Sequence, residues 1–554
     1  MRFGFPGFLP RVVRLLFPPC ITATLYLYLY PLFHGCSFPR PARRAPDWCI
    51  EALNGSDSNG GPLCTASHAL PTTAPFRLLS LGDPQLEGDT SLPNPTGPAF
   101  PSVPEAWDGI LRSGSIRDAL DAASHGAREL VRSDVPRALY AARKRLDLLG
   151  NDYYLAHIYR TLHWWARPTH VTVLGDLLGS QWITDEEFER RGWRFWNRVF
   201  KGTRKVPDSA MAKGEDGKLR KEVLGQEKGW EDWLINIAGN HDVGYSGDLT
   251  KERVDRFERV FGPVNWNIKF ELASNTSSVE AFAPDTQPES PELHLLVLNS
   301  MNLDGPTISP DHQSATYAFL NDAITRSRPV EDRTHLTILL THIPLHKRAG
   351  VCVDAPFFSY HAGYNGGGVR EQNHLSEGSS KGVLEGVFGL SGNPAAPAKG
   401  MGRNGVILTG HDHEGCDVWH HVRQEVYSEN GVAPEWEALK WEEANKAGLV
   451  GWDGIPGVRE VTVRSMMGSY GGHAGLLSAW FDECLGEKGE WRVEFEYCAV
   501  GVQHIWWAIH IVDVVLLGLL AVSLLIFLWK QLRSVFKGNS EERAKIPEVK
   551  RKVL

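Results

Sequence analysis

The stretch NGVILTGHDH, residues 404–413, places two histidines one residue apart, directly after an apolar run and a glycine. A short continuous apolar run predicts a strand that is buried on both faces. Alternate residues of a strand leave it on the same face, so His411 and His413 would point at one spot beyond the strand's end. An isolated His-x-His pair more often marks only a polar exit from a strand. The choice between a metal site and a polar exit therefore depends on partners elsewhere in the chain.

Similar apolar runs recur along the chain, and they are FRLLSLGD (76–83), HVTVLGD (170–176), LINIAGNHD (234–242), LHLLVLNS (293–300) and HLTILLTHIP (335–344). Helical patterns lie between some of them, at residues 151–165 and 185–200. Two later stretches, 457–465 and 490–498, alternate apolar and polar residues as half-buried strands do. The repetition of strand, helix and strand predicts an α/β fold with helices packed on a sheet.

Potential metal ligands stand at the ends of these runs. They are Asp83, Asp176, Asn240, His342, His411 and His413. In open α/β sheets, ligand sites form beyond the carboxyl ends of the strands, so one edge of the sheet would gather these donors. A mixture of Asp, Asn and His without cysteine suits divalent ions such as Mn, Fe or Zn. Asp176 would bridge two ions about 4 Å apart, and such a pair clamps the attacking and leaving oxygens of a phosphoryl displacement.

The motifs D-x-[HQ], GD, GNH[DE], H and GHxH occur here in this order, within residues 76–420. Together they resemble the calcineurin-like metallophosphoesterase superfamily. The resemblance implies an α/β fold of one particular kind, a four-layer α-β-β-α sandwich of two sheets flanked by helices, with two metal ions. It also implies that the chain is a metal-dependent phosphoric ester hydrolase.

The same resemblance implies a role for each motif residue. The first metal ion would be bound by Asp83, Gln85, Asp176 and His413. The second metal ion would be bound by Asp176, Asn240, His342 and His411. His241 would act as general acid to the leaving oxygen, or steady the transition state, with Asp242 orienting it.

Gln85 departs from the usual pattern of the superfamily, which has histidine at this position. An amide carbonyl is a harder and weaker donor than imidazole, so Gln85 would hold the first metal more loosely and favour Mn²⁺ over Zn²⁺. The alternative is that Gln85 does not bind the metal at all. We therefore expect two divalent ions, with Mn²⁺ preferred and Zn²⁺ or Fe as the alternatives.

Longer strings narrow the resemblance, and they are GDPQLEGD, GDLLGSQWI, AGNHDVGY, THIPLHKRAGVC, GHDHEGC and MMGSYGGHAGLL. They resemble the fungal endoplasmic-reticulum phosphoesterases that remodel glycosylphosphatidylinositol (GPI) anchors. This implies a phosphodiesterase that removes an ethanolamine-phosphate branch from a mannose of the anchor glycan, here taken as the second mannose. It also implies that GPI-anchored proteins are the substrates and that the enzyme supports their export. The alternatives are a phosphodiesterase for another lipid head group and a non-catalytic trafficking receptor for anchored cargo.

Two long apolar stretches, Leu15–Phe33 and Ile505–Trp529, are long enough to cross a bilayer as helices. Basic residues after the second stretch put the C-terminal tail in the cytosol, and two spans then put the middle section in the lumen. A cleaved signal peptide is the alternative for the first stretch. The expected boundaries are a cytosolic N-terminus (1–11), an anchor (12–33), a lumenal linker (34–75), a lumenal metallophosphoesterase domain (76–500), a transmembrane helix (505–529) and a cytosolic tail (530–554).

Short signals agree with an endoplasmic-reticulum membrane protein. Asn54 and Asn275 begin N-x-S/T sequons, which are glycosylation acceptors, and both lie in the expected lumenal part. Lys550 and Lys552 stand five and three positions from the end of this sequence, which resembles a K-x-K-x-x retrieval signal, although a merely basic tail is the alternative. Cargo-export receptors and coat proteins are the partners expected of this tail. The net charge of −8 gives no indication of nucleic-acid binding.

The eight cysteines suggest disulfides in an oxidising lumen. The local candidates are Cys49–Cys64 and Cys484–Cys498, and Cys352–Cys416 would pair if the metal-binding motifs converge. Residues 136–149, PRALYAARKRLDLL, form a basic amphipathic stretch. We expect a solvated helix packed on the domain there, and a helix lying on the bilayer surface is the alternative.

Overall fold

The computed structural model describes residues 5–42, 70–211, 219–226, 228–273, 289–363, 367–423, 435–450, 457–486 and 488–544. The chain forms two compact units. One combines Met1–Phe33 with Gly501–Leu554, and the other comprises His34–Val500.

The larger unit is built on two sheets. Its strands in chain order are β1 (Phe76–Leu81), β2 (His170–Val173), β3 (Arg204–Lys205), β4 (Lys221–Leu224), β5 (Trp233–Asn236), β6 (Trp266–Leu272), β7 (Glu292–Val297), β8 (His335–Leu340), β9 (Phe358–Tyr360), β10 (Val369–Gln372), β11 (Gly405–Thr409), β12 (Cys416–Arg423), β13 (Glu435–Lys440), β14 (Gly457–Thr462), β15 (His473–Asp482) and β16 (Glu490–Ala499). In the described part of the chain, one sheet has the order β16-β15-β1-β2-β5-β3 and the other β13-β12-β14-β11-β8-β7-β6-β4. Strands β9 and β10 form a separate small ribbon.

The α-helices in chain order are α1 (Phe5–Tyr28), α2 (Tyr30–Phe33), α3 (Ser102–Arg112), α4 (Ile116–Glu129), α5 (Val135–Ala166), α6 (Asp185–Arg194), α7 (Asp208–Met211), α8 (Asn240–Val243), α9 (Lys251–Phe261), α10 (Pro310–Thr325), α11 (Glu377–Phe388), α12 (Trp441–Lys446) and α13 (Gln503–Ala544). Short π-helical segments precede α5 and follow α6. Residues 151–165 and 185–200, where the sequence predicts helices, fall in α5 and in α6 with its π-helical extension.

The two sheets face each other across the main hydrophobic core. Phe76 and Leu78 of β1 meet Ile338 of β8 and Leu408 of β11 in this core. The alternate residues of the same strands point to the outer faces and are also buried, as Leu79 shows. Helices cover these outer faces; for example, the α11 helix lies against the start of β11. The fold is therefore the expected four-layer α-β-β-α sandwich, and burial on both faces explains the continuous apolar runs.

The parallel strands explain how the site is assembled. β1, β2 and β5 run parallel in one sheet, and β8 and β11 run parallel in the other. The carboxyl ends of parallel strands lie at the same edge of a sheet, so the residues that follow them become neighbours.

The structure corrects the expectation for the first residues of the linker, 34–75. Cys36 forms a disulfide with Cys498 of β16, and Trp165 Nε1 of α5 donates a hydrogen bond to the Cys36 carbonyl at 2.8 Å. These bonds fix Cys36 to the larger unit, whereas the composition of residues 34–75 predicted a linker between the membrane and the domain. Residues 43–69 lie outside the described part of the chain.

The expected Cys484–Cys498 disulfide is wrong. In the β15–β16 hairpin Asp482 opposes Glu490, so Cys484 follows β15 at the turn, whereas Cys498 opposes Ala474 at the other end. Eight strand residues separate the two ends by about 27 Å, far beyond the reach of a disulfide. The Cys352–Cys416 disulfide is present as expected. The Cys49–Cys64 pair lies outside the described residues.

The smaller unit contains α1, α2 and α13. By length and composition, Phe8–Tyr28 and Gln503–Phe536 are each apolar enough to cross a membrane. Thr24 Oγ1 of α1 donates a hydrogen bond to Asp513 Oδ2 of α13 at 2.9 Å. A carboxylate within an apolar helix thus has a polar partner.

Candidate metal centre

The potential ligands at the strand ends converge in the structure. Donor atoms of Asp176, His342 and His411 all lie within 4.8 Å of one another. The corresponding atoms of Asp83, Asp176 and His413 do the same. Asp176 belongs to both groups, so its carboxylate stands where a bridging ligand would have to be.

Backbone conformation aims several of these side chains. Asp83, Gln85, Asp176 and His411 all have left-handed backbone, with φ of 44°, 41°, 49° and 74°. Such a conformation costs about 1–3 kcal/mol at each residue other than glycine and clusters at functional sites. Here it turns the chain sharply at the end of each strand, so that the side chain points back over the sheet edge.

Two histidines are held in one tautomer by backbone carbonyls. His342 Nδ1 donates to the Leu174 carbonyl at 2.7 Å, and His411 Nε2 donates to the Gln372 carbonyl at 2.8 Å. The remaining nitrogen of each ring then carries a lone pair and faces the site. A second hydrogen bond that fixes the ring in this way is the usual arrangement of metal-binding histidines.

Asn240 lies between these two lone pairs. Its Oδ1 is 3.1 Å from His342 Nε2 and 3.0 Å from His411 Nδ1. His342 Nε2 is also 3.4 Å from Asp176 Oδ1. Four acceptor atoms thus lie close together, which fits a cation better than it fits a network of hydrogen bonds.

Gln85 lies in the donor group of Asp83, Asp176 and His413, at a place equivalent to that of Asn240 in the first group. Its Nε2 lies 3.0 Å from Asp176 Oδ2 and 3.1 Å from His413 Nε2. Rotating the amide by 180° brings Oε1 to the same point, from which it would bind a cation beside the Asp83 carboxylate. The position therefore allows Gln85 to act as a ligand.

The ionisation of the site also suits cations. Burial lowers the pKa of His411 to about 3, and it also lowers the pKa of His342 and of His413, so the three imidazoles are neutral. Burial and the neighbouring Asp176 raise the pKa of Asp83 well above its usual value. Two adjoining buried carboxylates among neutral imidazoles lack a counter-charge, which a divalent cation would supply.

His241 lies at the open side of the site. Its side chain is about one-third exposed (37%), and its Nε2 is 3.8 Å from Asp176 Oδ2. Its backbone N–H donates to Asp176 Oδ1 at 2.8 Å, so the residue that carries the ring also holds the shared carboxylate. A partly exposed imidazole beside the candidate metal ligands is in place to reach a bound substrate.

The contacts of Asp242 differ from the expected ones, in which its carboxylate orients His241. Its carboxylate accepts hydrogen bonds from the backbone N–H groups of Leu177, Leu178 and Gly239, at 3.0–3.1 Å. These donors belong to the loop after Asp176 and to the turn before Asn240. Because its oxygens are taken up by these backbone groups, Asp242 fixes the two loops to each other and not the imidazole.

Two motif glycines allow backbones to approach closely at the site. A Cβ on Gly175 would lie 2.1 Å from His342 Nδ1, and a Cβ on Gly410 would lie 2.4 Å from the Leu174 carbonyl oxygen. Gly175 also has a φ of +97°. The glycines of the GD and GH motifs are thus required by packing around His342.

A cavity of about 550 Å³ opens above the ligands. Aromatic side chains line one part of it, namely Trp182, Tyr245 and Tyr470. Carboxylates line another part, namely Asp354, Glu371, Asp412 and Glu414. Asp412 is almost fully buried, and its Oδ2 has no hydrogen-bond partner in the described structure. The Cys352–Cys416 disulfide connects the segments that carry Asp354 and Glu414.

Ser465 and Gln372 contact the site but are not among the predicted residues. Ser465 Oγ donates to the Asp83 carbonyl at 3.0 Å, and its N–H donates to the His413 carbonyl at 3.0 Å. The rule that ligand sites form at the carboxyl ends of strands (the strand-end rule) would have found Ser465, since this residue ends the expected 457–465 strand. Gln372 acts through its backbone carbonyl, for which side-chain chemistry gives no signal.

Two named proteins are similar to this chain in sequence. Protein TED1 of Saccharomyces cerevisiae is 32% identical over 529 residues, which cover 88% of this chain and 92% of TED1. Metallophosphoesterase 1 of Danio rerio is 23% identical over 313 residues, which cover 55% of this chain and 66% of that protein. The chain belongs to the calcineurin-like metallophosphoesterases. No family profile matches it.

A further relative of this metallophosphoesterase is an uncharacterised protein of Schizosaccharomyces pombe, which is 27% identical over 406 residues, covering 68% of this chain and 82% of the relative. As a member of this family, the chain is a metal-dependent phosphoesterase, a hydrolase that uses divalent metal ions. The donor groups described above are suited to holding such ions.

Proposed function

We propose that this metallophosphoesterase is a phosphodiesterase of the endoplasmic reticulum that removes an ethanolamine-phosphate branch from a mannose of the GPI-anchor glycan. The observation that carries the proposal is the pair of donor groups that share Asp176 beneath a cavity rimmed with carboxylates. The resemblance of its longer motif strings to fungal GPI-remodelling phosphoesterases supplies the substrate class. We take the second mannose as the site of attack.

Two divalent ions are assigned to the two donor groups. Asp83, Gln85, Asp176 and His413 would hold the first ion, and Asp176, Asn240, His342 and His411 would hold the second. The oxygen-rich first group, with an amide at Gln85, favours Mn²⁺ over Zn²⁺ or Fe. When bound, such a pair polarises the phosphoryl group and activates water for in-line displacement.

The residues around the ions would donate a proton and hold the ligands in position. His241 Nε2, on the open side of the site, donates a proton to the leaving oxygen of the mannose. The carbonyls of Leu174 and Gln372 hold two imidazoles in the tautomer that binds metal. Asp242 ties the loop after Asp176 to the turn that carries His241, so the acid and the bridging carboxylate keep their relative positions.

The rim of the cavity supports an amine-bearing substrate. A phosphodiester is anionic, so carboxylates beside it are unfavourable unless the substrate also carries positive charge. Asp354, Asp412 and Glu414 would face the ammonium group of ethanolamine phosphate, whereas a neutral branch would gain nothing from them. Glu414 is already paired with Arg464 at 3.0 Å and Asp412 is almost fully buried, which leaves the exposed Asp354 as the main contact.

We further propose that α1 and α13 span the membrane, with both termini cytosolic and the larger unit in the lumen. The boundaries of the anchor (12–33), catalytic domain (76–500) and second span (505–529) belong to this proposal. Two disulfides in the larger unit, Cys36–Cys498 and Cys352–Cys416, support an oxidising compartment. GPI-anchored proteins are then substrates that reach the site within the same membrane.

Asn54, Asn275, Lys550 and Lys552 lie outside the described residues. Glycosylation of the first two and endoplasmic-reticulum retrieval through the last two therefore stay predictions from the sequence. Binding of cargo-export receptors or coat proteins by the tail depends on the same signals.

The purified chain reconstituted with Mn²⁺ tests the proposal directly. We expect it to release ethanolamine phosphate from a GPI glycan that carries the branch on the second mannose, and to leave a glycan without the branch unchanged. Mass spectrometry of anchor glycans from cells lacking the protein should show the retained branch. Release of another lipid head group instead would point to the alternative phosphodiesterase, and a metal-free inactive chain that binds anchored proteins would point to a receptor.

A further inference from the structure

The solvent-facing side of α5 carries a line of large apolar residues, although that side of a surface helix is normally polar. The opposite side packs into the domain, with Leu155, Ile158 and Leu162 fully buried. The exposed side carries five large apolar residues that are 38–66% exposed, and we call them the α5 stripe: Val135, Leu139, Leu146, Tyr153 and Trp164. Large exposed apolar side chains arranged along one direction of a helix usually mark a surface that binds something.

The stripe follows one line along the helix. Steps of seven and eleven residues each return to within about 20° of the same direction on an α-helix, and the step of four from Val135 to Leu139 changes direction by about 40°. The five side chains therefore point within one narrow sector. The stripe is about 44 Å long at the normal helical rise. Such a long line along a single helix fits an extended flat surface such as a bilayer interface.

Cations flank the stripe. Arg143 lies about 40° to one side of Leu139, and Arg160 lies about 60° to the other side. Both are exposed; Arg143 also pairs with Asp147 at 3.8 Å, and Arg160 donates to the Arg198 carbonyl at 2.7 Å. Arg145, on the same turn as Arg143, is exposed as well. A helix with tryptophan and leucine along one line and arginines beside it has the composition that binds a bilayer interface, where arginines reach anionic head groups.

The C-terminal end of α5 adjoins the segments that lead to both apolar helices. Trp165, next to Trp164, donates its Nε1 hydrogen bond to the Cys36 carbonyl, and Cys36 is bonded to Cys498. In sequence, Cys36 follows the end of α2 at Phe33 by three residues. A segment of three residues reaches at most about 11 Å. If the first apolar helix spans the membrane, this end of α5 is therefore held close to the bilayer.

We propose that the α5 stripe lies on the lumenal surface of the bilayer, with its apolar side chains in the interface and its arginines on anionic head groups. The inference rests on the membrane topology given in the proposed function. It favours the bilayer-surface alternative for residues 136–149 over a fully solvated helix. A third attachment besides the two spans would fix the orientation of the larger unit. The metal centre would then stay at a constant distance from the bilayer that holds the lipid tail of the substrate.

A fluorescent probe on the stripe tests the contact in full-length protein reconstituted into liposomes containing phosphatidylserine. In a Cys20→Ser background, whose own labelling is measured and subtracted, Leu146→Cys is labelled with an environment-sensitive dye, and Ser314→Cys on the exposed side of α10 is the matched control. We expect blue-shifted emission and quenching by a lipid-borne nitroxide only for the label at position 146. Water-like emission at both positions would overturn the proposal. Resistance of the unlabelled chain to carbonate extraction tests the spans separately.

A triple variant tests the consequence for activity. Leu139→Gln, Leu146→Gln and Trp164→Gln change only exposed side chains, so hydrolysis of a soluble phosphodiester such as bis(p-nitrophenyl) phosphate should stay unchanged. Hydrolysis of a vesicle-borne ethanolamine-phosphate glycolipid should fall by about tenfold, the size expected for losing partial burial of three large apolar side chains. Equal loss on both substrates, or loss on neither, would overturn the proposal. A variant that loses a protein partner while its label stays in water would assign the stripe to protein binding instead.

Discussion

The Asp176 side chain connects the two halves of the metal centre. Its Oδ1 is 3.4 Å from His342 Nε2 and accepts the His241 N–H, while its Oδ2 is 3.0 Å from Gln85 Nε2. Each oxygen thus faces a different donor group. Because both groups depend on this one carboxylate, its loss should affect both metal ions together and not only one.

Replacement of Asp176 by Asn should abolish activity, with a fall of about three orders of magnitude or more in the rate of phosphodiester hydrolysis. The reason is the loss of the bridging charge, so metal analysis should show the content falling from about two ions per chain to well below one. Asp354→Asn, which removes a carboxylate from the rim only, is the control and should keep both ions. Full activity in Asp176→Asn would contradict the assignment of the centre.

Gln85 separates the two ion sites because it lies in one donor group only. Gln85→Leu should reduce the bound metal from about two ions to about one, since the second donor group has its own four ligands. Gln85→His should raise Zn²⁺ retention relative to Mn²⁺. Metal analysis after dialysis measures both variants, and an unchanged ion count in Gln85→Leu would mean that Gln85 is not a ligand.

Asp354 tests the recognition of a positively charged branch. Asp354→Asn should raise KM about two- to fivefold for an ethanolamine-phosphate ester, the size of a solvent-exposed ion pair. KM for bis(p-nitrophenyl) phosphate, which has no ammonium group, should stay the same. The same increase for both esters would show that Asp354 acts on the fold of the rim and not on the amine.

Strand termini and their glycines are the elements that assemble the site. Gly175 follows β2 with a φ of +97° and leaves no room for a Cβ beside His342. Gly202 has a similar φ of +104°, but nothing lies within 4 Å of the Cβ position. The two glycines therefore share a positive φ, in which an L side chain would be strained, and differ in their contact with the His342 ring.

Gly175→Ala should displace His342 and lower the affinity of the second ion, in addition to a backbone cost of about 1–2 kcal/mol. Gly202→Ala should show a similar backbone cost and normal metal content. Thermal unfolding combined with metal titration distinguishes the two effects. Equal metal affinity in both variants would show that the ring of His342 can move aside without harm.

The sequence predicts the strands well, because short apolar runs buried on both faces differ clearly from the amphipathic patterns of the helices. The convergence of Asp83, Asp176 and His342 follows from the strand-end rule, which needs only the order of the elements. The partners of Asp242 could not be predicted, because backbone N–H groups of two loops compete with the imidazole for its oxygens. The same holds for the Gln372 carbonyl, whose place depends on the path of a loop.

On the scale of the whole molecule, the Cys36–Cys498 disulfide joins positions that are 462 residues apart. Sequence separation favours local cysteine pairs as candidates, so a bond between the two ends of the larger unit was not predicted. The Cα atoms of the pair are 5.3 Å apart, which brings the first and last segments of this unit together. The bond should therefore contribute substantially to stability.

Simultaneous replacement of Cys36 and Cys498 by Ser should lower the free energy of unfolding by about 2–5 kcal/mol, as loss of a native disulfide typically does. Replacement of Cys20, which is free in the described structure, is the matched control and should cost far less. Denaturant unfolding of the detergent-solubilised chain, followed by near-UV circular dichroism, measures both. Equal stability of the two variants would show that packing alone closes the unit.

The Cys36–Cys498 bond also makes the larger unit a covalent ring. A protease that cuts this ring once, at any exposed loop, opens it without producing two separate fragments. The nicked protein would migrate as one band without reductant and as two bands with it. An enzyme closed in this way would keep both halves of its metal centre on one molecule even after a single cleavage in a degradative lumen.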